Sequence, residues 1–333
     1  MGLVCRFSGL INLRLISPIK SFDRPLFLNH HDVIREKINF SNNEDAFEFQ
    51  SQDLLFSRNS SSIVSLVLKC MSLPISNQKN NHLDKLHGTL VKTAEMMRSA
   101  IEIHSKIVGS KEFCFLDMKE KISILEGDLL LADAWKRLGE MKNCQVVEYM
   151  ATGVGDIITS QFIDLPESFD FHDENLCWDF WVKKNFLQHA SLQANSCRSG
   201  IILNGQKEDL QMAAYEFGKN FTLAQQALIE MKYFSVDNFG SKIWTEFSAP
   251  TLFHLYKTAP LSFGQQDSEY FDNHEKYSES EKFHEKIWRG FGISITRKLK
   301  NFFAQRAIES LEKFPMNSAK KTLENLVQDL RFQ

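Results

Sequence analysis

Residues 122–162 read ISILEGDLLLADAWKRLGEMKNCQVVEYMATGVGDIITSQF, two apolar-periodic runs parted by the short polar stretch around Lys142-Asn143. In the first run Ile122, Leu125, Leu129 and Ala132 recur at steps of three and four, and in the second Val147, Met150, Val154 and Ile157 do the same. That is the period of a helix, which stacks such residues on one face. The pattern extends outward in both directions. Upstream, Ala94, Met97, Ile101, His104 and Ile107/Val108 share a face; downstream come Leu187, Ala190, Ala194, Cys197 and Ile201, then Ala213, Phe217, Phe221, Ala224, Leu228 and Met231, and last Ala319, Leu323, Leu326 and Leu330. Strand-like alternation bounded by turn residues is scarce. The expected fold is therefore all-α, a single helical domain of about ten helices.

Composition sets limits on function. A chain of 333 residues, 43% of them hydrophobic, has enough apolar surface for one large core or two small ones. The net charge of −3 and pI near 6.4 argue against a surface built to neutralise many phosphates, so nucleic acid is not expected as a partner. Cys5, Cys70, Cys114, Cys144, Cys177 and Cys197 form neither a CxxC pair nor a Cys/His set at zinc-ligand spacing, and read as scattered reduced thiols. No uncharged apolar run reaches the ~20 residues of a spanning helix. Residues 1–22 carry Arg6, Arg14 and Lys20, several serines and no acid, the make-up of a mitochondrial transit segment. Residues 23–60 read as a polar, poorly ordered leader and 61–333 as the folded domain, interrupted by acidic stretches at 164–175 and 264–285 that read as solvated loops or exposed helix faces.

Several collinear stretches resemble the trans-isoprenyl (polyprenyl) diphosphate synthase family. In 122–162 the residues Leu125, Gly127, Asp128, Leu130, Leu131, Ala132 and Ala134 match its LxGDxLLAxA helix. FLQHASLQANSC at 186–197 parallels the family's ASLIAxSC helix, Ser248-Ala249-Pro250 follows, and AIESLEKFPMNSAKKTLENL at 307–326 is similar to its terminal signature. The likeness runs over roughly 60–331, and within the family it is nearest to the non-catalytic second subunits of decaprenyl diphosphate synthases.

Active members of that family expel diphosphate from an allylic substrate with the help of Mg²⁺, which takes near-octahedral oxygen coordination from carboxylates, phosphates and water. They supply the carboxylates from two DDxxD motifs. By the resemblance, the first motif falls at Ser105, Lys106 and Gly109, and the second at Ile229, Glu230 and Tyr233. Five of six carboxylates are gone. Lys106 also puts a cation where an anion is expected, and at ~4 Å that reversal is worth about 4 kcal/mol at an effective dielectric of 20. The basic GKxxRP motif has no counterpart near Arg58, the Arg-Arg-Gly after the first motif is missing, and the Lys-Thr pair is replaced by Gln188-His189.

These losses imply a chain with no catalytic residue and no metal ligand of its own. Glu230, alone on its helix, reads as a solvated or paired acid, and His104 as a satisfied core histidine. Asp128 and Asp133 diverge on their helix, and HExxH, GxSxG and phosphate-loop motifs are absent. What persists is the pair of helices that builds the family's subunit interface, with Leu129, Leu130, Trp135, Val147 and Val154 as candidate interface residues. The resemblance implies a matrix-located subunit of a heteromer, a heterotetramer by family likeness, whose catalytic subunit 1 holds Mg²⁺ and makes the ubiquinone tail. Peripheral membrane contact is left open. Two alternatives stand beside it: a weak autonomous prenyltransferase using Glu230, and a helical adaptor that binds isoprenoid or protein.

Overall fold

The structure, a computed structural model, describes residues 67, 81–108, 118–166, 169–234, 248–258 and 285–333. Residues Met1–Phe49 form one unit, which lies outside the described residues, and Gln50–Gln333 form the other, to which everything below belongs. The expected transit segment, the polar leader, Gly109 and most of the acidic stretch at 264–285 therefore fall outside the described residues.

Among the described residues the fold is helical: α1 Asn81–Val108, α2 Met118–Glu140, α3 Cys144–Ser160, α4 Glu174–Asn185, α5 Ser191–Leu203, α6 Glu208–Tyr233, α7 Ala249–Thr258, α8 Phe291–Leu311 and α9 Ser318–Phe332. A π-turn, Phe186–Ala190, joins α4 to α5. Side chains set several of the starts. Asn143 accepts from Val146 N at 3.1 Å ahead of α3, Asp173 accepts from Asn175 N at 2.8 Å ahead of α4, and Asn317 accepts from Lys320 N at 2.9 Å ahead of α9. Each satisfies a backbone donor that the first turn leaves orphaned.

Helix α5 lies at the centre, against α1, α3 and α6, while α8 packs on α6, α7 and α9. It is buried on nearly every side although it carries Ser191, Gln193, Asn195, Ser196 and Ser199. Its own carbonyls absorb part of that polarity: Ser196 Oγ donates to Leu192 O at 2.7 Å and Asn195 Nδ2 to Ser191 O at 3.0 Å. Close approach is needed as well. A Cβ on Gly153 of α3 would come within 2.7 Å of the Leu192 Cα, so only glycine lets those two backbones meet.

The periodic faces of α5, α6 and α9 are the core, with Phe217, Phe221, Leu228, Leu323 and Leu330 buried beside Trp181, Phe253 and Leu299. The face of α2 behaves otherwise. Ile122, Leu125 and Leu129 are exposed, and a second stripe, Leu130, Ala134, Leu138 and Met141, faces inward. The run Leu129-Leu130-Leu131 spans both faces, so periodicity could not choose between them. The loop expected at 164–175 is only partly a solvated one, because Phe169 meets Phe171 and Phe180 edge-on at 5.0 and 5.5 Å and leans on the core.

Candidate functional site

The two motif positions sit at the C-terminal ends of α1 and α6, both of which pack against α5. On α1, Ser105 is exposed and donates its hydroxyl to the Glu102 carbonyl at 2.9 Å. Lys106 lies in the last turn of the helix, and its side chain is outside the described residues. His104 turns toward α2, where its Nε2 lies 3.1 Å from the Ile124 carbonyl and 3.5 Å from Asp128 Oδ1. Gly127 makes room for it, since a Cβ there would come within 2.3 Å of the imidazole. The Gly127-Asp128 pair thus holds the histidine that precedes the first motif. Asp133 pairs instead with Arg137 at 2.9 Å, so the two aspartates serve different partners.

On α6, Glu230 is neither solvated nor open to a ligand. It is 5% exposed; Oε2 accepts from Trp181 Nε1 and from Ala249 N, both at 2.8 Å, and Oε1 accepts from Gln226 Nε2 at 2.9 Å. The carboxylate ties three helices together: α6 itself, α4 through the fully buried Trp181, and the first residue of α7. An anion at a helix N-terminus is favoured by the exposed N–H groups and the helix dipole. Ile229 is half-buried, and Tyr233 packs on a small apolar cluster of Met231, Phe234, Ile287 and Ile293. Gln188 and His189, which stand at the Lys-Thr position, lie half-buried in the π-turn, whose closing bond runs from Ser191 N to Phe186 O. Such turns interrupt a helix ladder and often mark functional positions.

At the second motif the one acid present is already committed to protein donors. Among the described residues no three His, Cys, Asp or Glu side chains converge as a metal site would require. The acid at the second motif has both oxygens engaged by buried N–H donors.

Of the five candidate interface residues, Leu129 is 42% exposed and Trp135 and Val147 are half-buried. Leu130 and Val154, each 7% exposed, fall on the inward stripes of α2 and α3 and are filled by this chain's own core, so they are not available to a partner. The residues that do present apolar surface there are Ile122, Leu125 (64% exposed), Ile158 and Phe162. A polar seam between α3, α5 and α6 also escaped the sequence reading. Ser191 hydrogen-bonds Asp156, Arg198 stacks over the Tyr149 ring at 4.2 Å, and burial raises the pKa of Tyr215, with Glu216 and Asp156 adding to the effect. Its only signal was the spacing of Ser191, Asn195 and Arg198 along one helix.

The profile of the family described as Polyprenyl synthetase matches residues 90–228. The chain is 26% identical to rat all trans-polyprenyl-diphosphate synthase PDSS2 over 282 residues, 80% of this chain and 70% of the rat protein. It is 29% identical to a probable mitochondrial hexaprenyl pyrophosphate synthase of Neurospora crassa over 246 residues, 70% of this chain but 54% of that one, little over half its length. A solved polyprenyl synthase from Caulobacter crescentus, in complex with calcium and isoprenyl diphosphate, superposes with a TM-score of 0.66 at 20% identity, covering 95% of this chain and 99% of the other, and so shares its fold. These sequence matches and the shared all-helical architecture carry one conclusion: the chain is similar to the polyprenyl synthetases over residues 90–228 and shares their fold.

Proposed function

We propose that this chain is a non-catalytic subunit of a heteromeric trans-polyprenyl diphosphate synthase in the mitochondrial matrix, which makes the isoprenoid tail of ubiquinone. The observation that carries the reading is the environment of Glu230. The one acid kept at the motif positions is spent on holding α4 and α7 to α6, beside a tyrosine that packs in an apolar cluster. Both metal platforms and the diphosphate chemistry then come from a catalytic partner, in which Mg²⁺ is bound. Likeness to the rat and Neurospora proteins supports the product class and the location.

The docking surface in this reading is the outer face of α2 and α3. Ile122, Leu125, Leu129 and the exposed Ala132 follow one another along α2, and Ala151, Gly155, Ile158 and Phe162 along and just beyond α3. Rows of exposed apolar residues on two helices mark a surface that is covered in an assembly. A heterotetramer of two such chains and two catalytic subunits fits the proposal.

Mixing the purified chain with its catalytic partner and measuring polyprenyl diphosphate synthesis tests it. Synthesis by the mixture beyond that of the partner alone is the expected result. No gain, or Mg²⁺-dependent turnover by this chain in isolation, would overturn the reading.

A further inference from the structure

Helix α8 buries one side in the core and turns the other to solvent, and its outward side has a composition unlike the rest of the chain. The exposed residues include Phe291, Ser294, Arg297, Lys298, Phe302, Gln305 and Arg306. Phe291 is 64% exposed and Phe302 45%. They lie eleven residues apart, close to three turns, which brings them onto the same line some 16 Å from one another. No acid occurs from Phe291 through Ile308, although the chain as a whole has a net charge of −3. Among the described residues, Glu309 stands in the last turn of the helix, Asp179 is exposed on α4, and Glu285 is paired with Arg289 at 2.8 Å just ahead of α8.

Phe302 does not stand alone. Trp178 of α4 meets it edge-on at 5.5 Å, Phe303 supports it at 5.2 Å, and the Arg306 guanidinium lies 5.6 Å from its ring. On the far flank Arg331 of α9 donates to Gln305 Oε1 at 3.2 Å, which brings another cation beside the face. Exposed aromatic rings held upright among cations, with no intervening acid, suit the boundary between headgroups and acyl chains: the rings enter the apolar layer and the cations meet lipid phosphates.

We propose that the outer face of α8 docks the protein on an anionic lipid bilayer, with Phe291 and Phe302 inserted at the interface and Arg297, Lys298 and Arg306 on the headgroups. Charge complementarity selects this occupant over a neutral apolar partner. The inference does not depend on whether the chain is catalytic, because none of these residues belongs to the motif positions or to the α2/α3 surface.

The experiment is flotation of the full chain with vesicles of phosphatidylcholine alone and of phosphatidylcholine mixed with phosphatidylglycerol, at low and high salt. Binding to the mixed vesicles, weakened by salt, is expected. The triple variant R297Q/K298Q/R306Q should bind roughly 100-fold more weakly, about fivefold for each cation removed. F291S/F302S should lose about tenfold or more for each ring. All five replaced side chains are exposed, and circular dichroism verifies that the variants fold. Absence of binding to the mixed vesicles, or equal binding by wild type and the triple variant, overturns the proposal. So does sedimentation velocity without lipid in which wild type self-associates and F291S/F302S does not, since the face would then be covered by a second copy of the chain.

Discussion

Replacing Glu230 by alanine separates a structural acid from a catalytic one. In Glu230→Ala the Trp181 indole N–H and the Ala249 backbone N–H lose their shared acceptor in a place where water does not reach, while Gln226 can turn its amide elsewhere. Each stranded buried donor costs about 1–3 kcal/mol, so the pair gives a loss of about 4 kcal/mol. For a domain of this size that is a fall in Tm of roughly 10 °C. Glu230→Gln should be much milder. Its carbonyl oxygen can take the place of Oε2, and Gln226 can present its own oxygen to the new amide. Chemical denaturation and differential scanning calorimetry of wild type, E230A and E230Q measure both effects, with and without Mg²⁺ and inorganic diphosphate. A loss below about 1 kcal/mol for E230A would refute the anchoring argument. So would a wild-type Tm that rises with Mg²⁺ and diphosphate while that of E230Q does not, because the carboxylate would then be a metal ligand.

Three other perturbations have defined outcomes. Leu125→Asp and Leu129→Asp on the exposed face of α2 should weaken association with a catalytic partner by a hundredfold or so, the magnitude of ~3 kcal/mol at an interface centre, yet leave the stability of the isolated chain within about 0.5 kcal/mol; analytical ultracentrifugation and melts read the two quantities. Ile229→Asp with Tyr233→Asp puts an acid at all three positions of the second motif, beside the native Glu230, but should give no Mg²⁺-dependent prenyl transfer. It should also cost about 2–3 kcal/mol, since Tyr233 leaves an apolar cluster and a carboxylate enters it. Lys300 is wholly buried on α8 and donates to the Arg331 carbonyl at 3.1 Å; burial, then Arg297 and Arg331, bring its pKa down from 10.5 to about 8. Below pH 8 both folded and unfolded chains hold the proton and the penalty is fully present. From 8 to 10.5 the unfolded chain holds the extra proton, so stability from this group should rise with pH. Lys300→Met should therefore be more stable by about 1–3 kcal/mol at pH 7 and lack that rise, as denaturant midpoints across the range would reveal.

The helices and the likeness to polyprenyl synthetases were legible along the chain, because each rests on residues within a turn or two of one another. Helical spacing needs only neighbours three and four apart, and a missing DDxxD is missing whatever surrounds it. The inward stripes of α5, α6 and α9 were legible for the same reason, as their apolar residues fall on one face.

Tertiary structure alone decided which surfaces meet. Periodicity marks a stripe but not what covers it, so Leu129, Leu130 and Val154 were all candidate interface residues, yet Leu129 lies on the surface with Ile122 and Leu125 while Leu130 and Val154 are buried. Glu230 is the sharper case. Its partners, Trp181 and Ala249, lie 49 and 19 residues away in sequence, and only the packing of α4 and α7 against α6 brings them to 2.8 Å. The outer face of α8 depended on the fold too: of its three phenylalanines and four cations, Phe303 and Lys300 are buried, while Phe291, Phe302, Arg297, Lys298 and Arg306 are left outside. Local spacing fixes the element; burial, set by every other element at once, fixes what each side chain is for.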